Sequence, residues 1–392
     1  FHVQAELLTD SLNFNTSGDV TGFDEHAGFN LMYSINASAL SENDKIFWDG
    51  LHRIGGFQSD GSLIRIIGER EPTAISLRLD SNQLGALIAE GSIFSMNTGD
   101  SQFYLSIATD SISKFMSLGS FRMADVRPFQ GNANVWLTND GVSLDDFHFQ
   151  VGDNDLLGTI QYRRGSVVGT RSMIKGDVQS SYLNLNELFP PPTKTLLFSD
   201  EPLPAGWATS HDVSIQFKVD RFLRRNYDLR EVTGRVTSSS GVIDARSKSS
   251  AFGGDLEQTL ILDTRPTPFE AIYQYNWNDL DLALLPVARK TVRGITGRVD
   301  LKGGITGKGN SLHQIIEQGD GYLFVDVEQA RFLRGGMELF TTSPIHIVEQ
   351  ILRDVSPWGQ RKKFFDIECG VIGMQIENGV GVAPPPRSYD SN

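Results

Sequence analysis

The chain has 392 residues, is 39% hydrophobic and carries a net charge of −13, so it can bury a core but lacks the basic surface that nucleic acid requires. Its one cysteine, Cys369, excludes an intrachain disulfide, and no apolar run is long enough to span a bilayer as a helix. The chain begins at Phe1 rather than Met, so we expect a fragment or a processed form whose signal or anchor lies upstream.

Alternating apolar residues dominate the chain. Ile75, Leu77 and Leu79 share one face of a predicted strand, and the same alternation recurs at 147–151, 215–219 and 323–327. Period two with polar residues between predicts antiparallel strands that bury one face. Turn sequences containing glycine separate these strands, among them TNDG, SSSG, FGGD, KGG, QGDG and ENG. The pattern therefore predicts a mainly β protein with sheet nearly throughout.

Four short Leu-rich stretches interrupt the strands. They are SNQLGALI (81–88), DSISKFM (110–116), YLNLNELF (182–189) and NWNDLDLALLPVARK (276–290). Their apolar residues lie three apart, which fits one helical turn. A single turn is not stable alone, so each stretch predicts a turn that docks on the adjacent sheet.

Two longer helices are predicted near the C-terminus. The first is SLHQIIEQG (311–319), in which Ser311 and Gln314 form a capping-box pattern and Gly319 follows the last turn. The second is SPIHIVEQILRDVSP (343–357), with Ser343 as the cap and Pro344 in the first turn.

The C-terminal half combines these features in a recognisable order. It has strand pairs, the hairpin glycines Gly253 and Gly254, the NDLDLALL turn and a GKGNS sequence before a short helix. Near its end come Phe365, Ile367, Cys369, Ile376, Asn378 and Gly379. This arrangement resembles the AsmA family of bacterial envelope proteins, which includes the bridge-like lipid transport proteins. The resemblance is strongest over 207–381, and 74–189 is similar to an earlier, more divergent unit.

The resemblance implies a fold and a domain organisation. The fold would be an elongated, curled antiparallel β-sheet groove with a few short helices, whereas the alternation alone fits a β-sandwich equally well. The implied domains are N-terminal β-groove repeats (1–189), a Pro-rich linker or crossing loop (190–206), an AsmA-like C-terminal β-domain (207–381) and a disordered tail (382–392). The chain departs from the family pattern after Gly381, where triple proline replaces further strands.

The resemblance also implies a function. The chain would be a non-enzymatic hydrophobic conduit for phospholipid between the inner and outer bacterial membranes, located in the periplasm and anchored to the inner membrane by an upstream helix. Its partners would be phospholipid acyl chains and membranes or envelope proteins at either end, with no cofactor, metal, nucleotide or nucleic acid. One alternative is a periplasmic scaffold or assembly factor for outer-membrane protein biogenesis, and another is a polysaccharide-active or adhesive β-protein.

The candidate lipid-contacting residues are alternating apolar residues of the C-terminal half. They are Ile215, Phe217, Val219, Leu260, Leu262, Val299, Leu301, Leu323, Val325 and Val327. Each also has an ordinary interpretation as a core residue of a sheet.

Catalytic and metal-binding patterns are weak. GGITGKGNS (303–311) fails as a phosphate-binding loop, because its lysine is followed by glycine rather than Ser or Thr, and the seven histidines are widely separated. We expect Cys369 to be a buried structural thiol, and Asp145 and Asp146 to end a turn. The basic cluster at 361–363 is expected to be a solvated turn, with contact to lipid headgroups as the alternative.

Overall fold

The structure is a computed structural model that describes most of the chain. The described residues are 1–9, 12–22, 27–38, 56–66, 72–81, 85–94, 100–110, 128–165, 170–189, 200, 202–203, 205–225, 227–285, 296–333 and 364–382. Contacts divide the chain into two compact units, Phe1–Pro190 and Pro191–Asn392, here called unit 1 and unit 2.

The described part of unit 1 is a β-meander followed by one short helix. Its strands are β1 (His2–Leu8), β2 (Leu12–Val20), β3 (Phe29–Ala37), β4 (Phe57–Arg65), β5 (Thr73–Ser81), β6 (Gly85–Ile93), β7 (Ser101–Thr109), β8 (Phe129–Thr138), β9 (Gly141–Val151), β10 (Asn154–Arg163) and β11 (Ser172–Asn184). The helix α1 is Leu185–Leu188. Every strand pairs antiparallel with the next strand along the chain.

The described part of unit 2 has the same neighbour-to-neighbour pairing. Its strands are β12 (His211–Arg224), β13 (Tyr227–Ser239), β14 (Val242–Ala251), β15 (Gly254–Asp263), β16 (Glu270–Asp281), β17 (Thr296–Lys308), β18 (Asp320–Leu333), β19 (Phe364–Glu377) and β20 (Val380–Val382). It also has 3-10 turns at Gly206–Thr209 and Leu282–Leu284, and the helix α2 (Leu312–Glu317). The antiparallel pairs run in order from β12–β13 to β19–β20.

The predicted fold class is confirmed. The protein is mainly β, and its antiparallel sheet is curled and unclosed. A β-sandwich requires two sheets packed face to face. In each unit the described strands pair only along one meander, so the sandwich alternative is not the fold.

The predicted linker and tail are described only in part. In the predicted linker (190–206), Pro202 forms a β-bridge with Ser311, and the Leu203 amide donates to the Asn310 carbonyl oxygen at 2.8 Å. These residues therefore pack as part of unit 2. Residues 190–199 and 383–392 lie outside the described residues, and the division into domains stays a prediction.

Two-residue turns join several strands. Ser240 and Gly241 connect β13 to β14 with φ of 50° and 84°, and Phe252 and Gly253 connect β14 to β15 with φ of 54° and 82°. Two consecutive positive φ values give a turn whose twist matches that of the strands. The predicted turns at TNDG, SSSG, FGGD and ENG are confirmed. The one at KGG is wrong, because these residues lie inside β17.

The predicted short helical elements have mixed outcomes. Helix α1 begins after Asn184, whose side chain accepts from the Asn186 amide, and the turn at 282–284 begins after Asp281 in the same way. Helix α2 confirms the prediction at 311–319, with Ser311 accepting from the Gln314 amide. The helical turn predicted at 81–88 is wrong for the described residues of this stretch, because β6 starts at residue 85. The stretches 111–116 and 343–357 lie outside the described residues.

Irregular strand pairings keep apolar residues on one face at points where the period-two alternation in the sequence shifts by one residue. Asp279, with φ of 57°, separates Trp277 from Leu280, and the pairing of β16 with β17 shifts at this point. Asp146, with φ of 48°, precedes Phe147 at a similar shift between β8 and β9. An extra residue in a strand returns the next side chain to the same face. Leu280 and Phe147 are consequently 0% and 1% exposed.

Candidate functional site

One side of the unit 2 sheet is lined by rows of directly opposed residues, which share a face in an antiparallel sheet. The first row is Phe217, Gly234, Ser247, Gln258, Tyr275, Gly303, Leu323 and Met374. The second row is Ile215, Val236, Ala245, Leu260, Tyr273, Ile305, Gly321 and Ile376. The third row is Ser249, Leu256, Trp277, Leu301, Val325 and Ile372. We call the side that carries these rows the apolar face of unit 2.

All of the candidate lipid-contacting residues lie on this face. Six of them belong to the three rows, and the others follow the same alternation on β12, β15, β17 and β18. Their burial differs. The buried residues are Val219, Leu262, Val299, Leu323, Val325 and Val327. The half-buried residues are Ile215, Phe217, Leu260 and Leu301.

The buried candidates are packed core residues. Leu262 is 6% exposed and belongs to a cluster with Ala205, Ala208 and Ile315, which come from the 3-10 turn region and helix α2. A second cluster contains Val299, Leu323, Val325 and Val327, with Leu282 and Leu285 packed against it. The half-buried candidates are therefore the ones that retain surface for a ligand.

Unit 1 carries an equivalent apolar face that the sequence-based site prediction did not include. One row crosses it from β2 to β10: Phe14, Ile35, Ser59, Leu79, Leu87, Ile107, Gly131, Phe149 and Leu156. The alternation at 75–79 and 147–151 was the available signal. Only the register shows that these strands form one continuous row.

Aromatic rings lie over glycines on both apolar faces. A Cβ atom built on Gly234 would lie 2.5 Å from Cζ of Phe217, its directly opposed partner. Gly61 is opposed to Tyr33 in the same way, with a distance of 2.8 Å to Tyr33 Cε1. A glycine leaves room for the ring to lie flat on the neighbouring strand, and the ring covers the exposed backbone. At both positions a backbone oxygen of the next strand, from Arg246 and from Ser76, would lie closer still to the added Cβ atom, so backbone and ring together favour glycine.

The opposite side of unit 2 carries exposed ion pairs together with the exposed apolar side chains of Ile272, Tyr322, Phe324 and Val371. Lys248 Nζ lies 2.6 Å from Glu257 Oε1 on the neighbouring strand, and Lys308 Nζ lies 2.7 Å from Glu270 Oε1. The side chains of both pairs are exposed to solvent, where water and salt screen the attraction, so these pairs contribute little to stability. Charged pairs occur on this side and not in the three apolar rows, so the two sides of the sheet differ in charge.

Polar side chains interrupt the apolar face of unit 2 near its centre. The Tyr273 hydroxyl donates to Gln258 Oε1 at 2.8 Å. Ring centroids lie 5.8 Å apart between Tyr273 and Tyr275, and 5.2 Å apart between Tyr275 and Trp277. Burial raises the pKa of both tyrosines to about 12, because it penalises the phenolate. The indole Nε1 of Trp277 is buried and has no hydrogen-bond partner among the residues that the structure describes.

The described residues give little support for catalysis. The prediction that Cys369 is buried is wrong, because this thiol is exposed. The prediction that Asp145 and Asp146 end a turn is also wrong, since both lie inside β9, where Asp145 accepts from the Ser143 hydroxyl at 2.7 Å. Gly303 and Gly304 lie in β17, and the basic cluster at 361–363 lies outside the described residues.

The described residues contain no group of three or more His, Cys, Asp or Glu side chains arranged to hold a metal ion. None of the described helices has the length and apolar character needed to cross a membrane.

Comparison with known proteins identifies no relative. No family model, no curated protein and no solved structure matches the chain. The resemblance to the AsmA family therefore stays a prediction, and arguments about function depend on the geometry of the sheet.

Proposed function

We propose that the chain is a non-enzymatic conduit that covers the acyl chains of phospholipids on the apolar faces of its sheets. One observation carries this proposal: in unit 2 the first two rows cross eight strands, β12–β19, without a charged side chain. Eight strands have seven intervals, and at about 4.8 Å per interval the rows extend for roughly 34 Å. A surface of this kind can cover a lipid tail.

The energetics favour such a surface as a route for lipid. A C16 acyl chain exposes about 15 apolar carbons at roughly 0.8 kcal/mol each, so its exposure to water costs about 12 kcal/mol. Contact with apolar side chains removes this cost without hydrogen bonds that fix one position. A tail can therefore move along the rows, and no covalent step is required.

The proposed setting is the bacterial cell envelope. Glycerophospholipid would pass through the periplasm between the inner and outer membranes, with an inner-membrane anchor upstream of this chain and membranes or envelope proteins at both ends. This setting depends on the sequence resemblance. The apolar face of unit 2 supports the covering of lipid tails.

A photo-crosslinking experiment tests the proposal. A photoreactive amino acid replaces Phe217, which is half-buried on the apolar face, and in a second protein it replaces Lys218, which is exposed on the opposite face. We expect phospholipid to be captured in cells at position 217 and not at 218. Mass spectrometry of the purified wild-type protein should find bound phospholipid.

Equal labelling at both positions would contradict the proposal. A protein recovered without lipid but bound to an outer-membrane assembly partner would favour the scaffold alternative instead.

A further inference from the structure

The apolar face of unit 2 carries hydrogen-bond donors without partners. Trp277 Nε1 is buried and unpartnered, and the Tyr275 hydroxyl makes no hydrogen bond with the described residues. Gln258 accepts from Tyr273 through Oε1, which leaves its Nε2 group available to donate. We call Gln258, Tyr275 and Trp277 the donor station.

The three side chains of the donor station lie close together. Gln258 is directly opposite Tyr275 on the neighbouring strand, and the Tyr275 and Trp277 rings are 5.2 Å apart on β16. As residues all three are half-buried, but the Nε1 atom of Trp277 is itself buried, so a ligand on the apolar face reaches this donor only when neighbouring side chains move. Leu301, a half-buried candidate residue, is directly opposite Trp277. The donor station is thus continuous with the surface proposed to cover lipid tails.

The chemistry of these groups restricts what can bind them. An indole N–H can only donate, and a buried donor without a partner is unfavourable, so a ligand at this position must supply an acceptor. The three rows around the donor station contain no Lys or Arg side chain. A carboxylate or phosphate would be buried there without a compensating cation, which is unfavourable. A neutral carbonyl oxygen meets both conditions.

We propose that the donor station binds the ester carbonyl oxygens of acyl lipids. This inference rests on the proposed function and adds the chemical group of the cargo that these three side chains contact. Ester-linked acyl chains are favoured over free fatty acids and over plain hydrocarbons. The apolar rows cover the tail, and the donor station holds the end of the tail that carries the ester.

Competition binding with three small probes tests the inference. A fluorescent apolar reporter bound to the full chain is displaced by methyl laurate, by pentadecane, which has the same number of non-hydrogen atoms, or by laurate. The variants are Tyr275→Phe, which removes the hydroxyl and retains the ring, and Trp277→Phe, which removes the N–H and replaces the indole with a smaller aromatic ring. We expect each substitution to weaken methyl laurate binding about threefold to tenfold, as for the loss of one hydrogen bond, and to leave pentadecane binding unchanged. Laurate should bind wild type more weakly than methyl laurate.

An infrared measurement on the wild-type protein gives a second readout. Methyl laurate with a ¹³C-labelled carbonyl should show its C=O stretch at lower frequency when bound than in an alkane solvent, where no hydrogen bond forms, and each variant should reduce that shift. If circular dichroism shows that a variant does not fold, the carbonyl band of methyl laurate bound to the wild-type protein alone tests the inference.

The possible outcomes separate this inference from the proposed function. Unchanged methyl laurate affinity in the folded variants, an unshifted carbonyl band, or tighter binding of laurate would overturn the donor station while pentadecane binding still supports the apolar face. Failure of wild type to bind either methyl laurate or pentadecane would overturn both proposals.

Discussion

At the scale of single residues, the pairing of an aromatic ring with an opposed glycine shapes the apolar face. Gly303 is buried and directly opposite Tyr275, and an added Cβ atom would collide with the Tyr275 ring and hydroxyl. The glycine therefore allows the ring to lie over β17 and to remain beside Trp277. Both the packing of this face and the donor station therefore depend on a residue without a side chain at position 303.

A glycine-to-alanine comparison tests this dependence. We expect Gly303→Ala to lower the free energy of unfolding by about 1–3 kcal/mol, because the added methyl group displaces a packed ring. Gly206 is the matched control, since a Cβ atom at this position would meet nothing within 4 Å. Gly206→Ala should change the stability by less than about 0.5 kcal/mol. Chemical denaturation of both variants measures the difference, and equal effects would contradict the ring-over-glycine account.

At the scale of elements, carboxylate and amide side chains fix the end of β11 and the start of α1. The Asp155 carboxylate accepts from the Ser181 hydroxyl at 2.6 Å, from the Ser180 hydroxyl at 3.1 Å and from the Ser181 and Tyr182 amides at 2.9 and 3.0 Å. The ladder between β10 and β11 ends at Leu157, so these bonds replace strand pairing beyond it. Asp155 therefore holds the segment that leads into the helix.

The acidity of Asp155 gives this contact a predicted pH dependence. Partial burial raises the pKa, but the hydrogen bonds from Ser181, Tyr182 and Ser180 outweigh it and hold the pKa of Asp155 below its usual value of 3.8. Because the folded state favours the ionised carboxylate, Asp155 contributes to the stability of the fold above pH 4. This contribution to stability is lost as the pH falls through the pKa of Asp155 in the folded state. Acidification below pH 4 should therefore weaken unit 1.

The variant Asp155→Asn isolates this effect. At pH 7 we expect it to lower the free energy of unfolding by about 2 kcal/mol, because hydrogen bonds to a charged group are lost. The difference from wild type should shrink between pH 4 and pH 2, as measured by thermal unfolding across that range. Asp153→Asn, at an exposed position of the same hairpin, is the control. A constant difference at all pH values would show that the charge of Asp155 is not the cause.

At the scale of the whole molecule, the chain repeats one design in both units. Each unit is a meander of neighbouring strands with an apolar face. In unit 2 that face has two kinds of position: residues buried in local clusters and residues that stay half-buried. The first kind stabilises the sheet, and the second kind is available to a ligand.

Two arginine substitutions on β15 separate these roles. Leu262 is 6% exposed within a cluster, so Leu262→Arg should lower the free energy of unfolding by several kcal/mol. Leu260 is half-buried on the same face, and the longer side chain in Leu260→Arg can extend its charged end toward solvent. We expect Leu260→Arg to fold and to lose captured phospholipid, measured by denaturation and by lipid mass spectrometry. Wild-type lipid content in folded Leu260→Arg would contradict the proposed route.

Some features followed directly from the sequence. The alternation at 215–219 and 323–327 predicted both the strands and the face on which their apolar residues lie, because successive strand side chains point to opposite sides. The caps of α1, α2 and the 282–284 turn could also be predicted from the sequence. A capping side chain accepts a hydrogen bond from an amide only two or three residues away, so the interaction is local.

The errors concern contacts that depend on distant residues. The KGG stretch has turn composition, yet Gly303 lies in β17, where its lack of a side chain leaves room for the Tyr275 ring of β16. Cys369 has an apolar neighbourhood in sequence, and its exposure depends on which side of β19 packs against other residues. Composition alone does not contain this information.

The sequence by itself thus determined that the chain is an antiparallel β protein whose strands share one apolar face. Only the tertiary structure decided which apolar residues are packed core, where irregular pairings realign the face, and that Gln258, Tyr275 and Trp277 lie together. The physical reason is the separation along the chain over which each interaction acts. Alternation and capping act between residues close in the chain, whereas burial and hydrogen-bond satisfaction depend on the register that brings separate strands together.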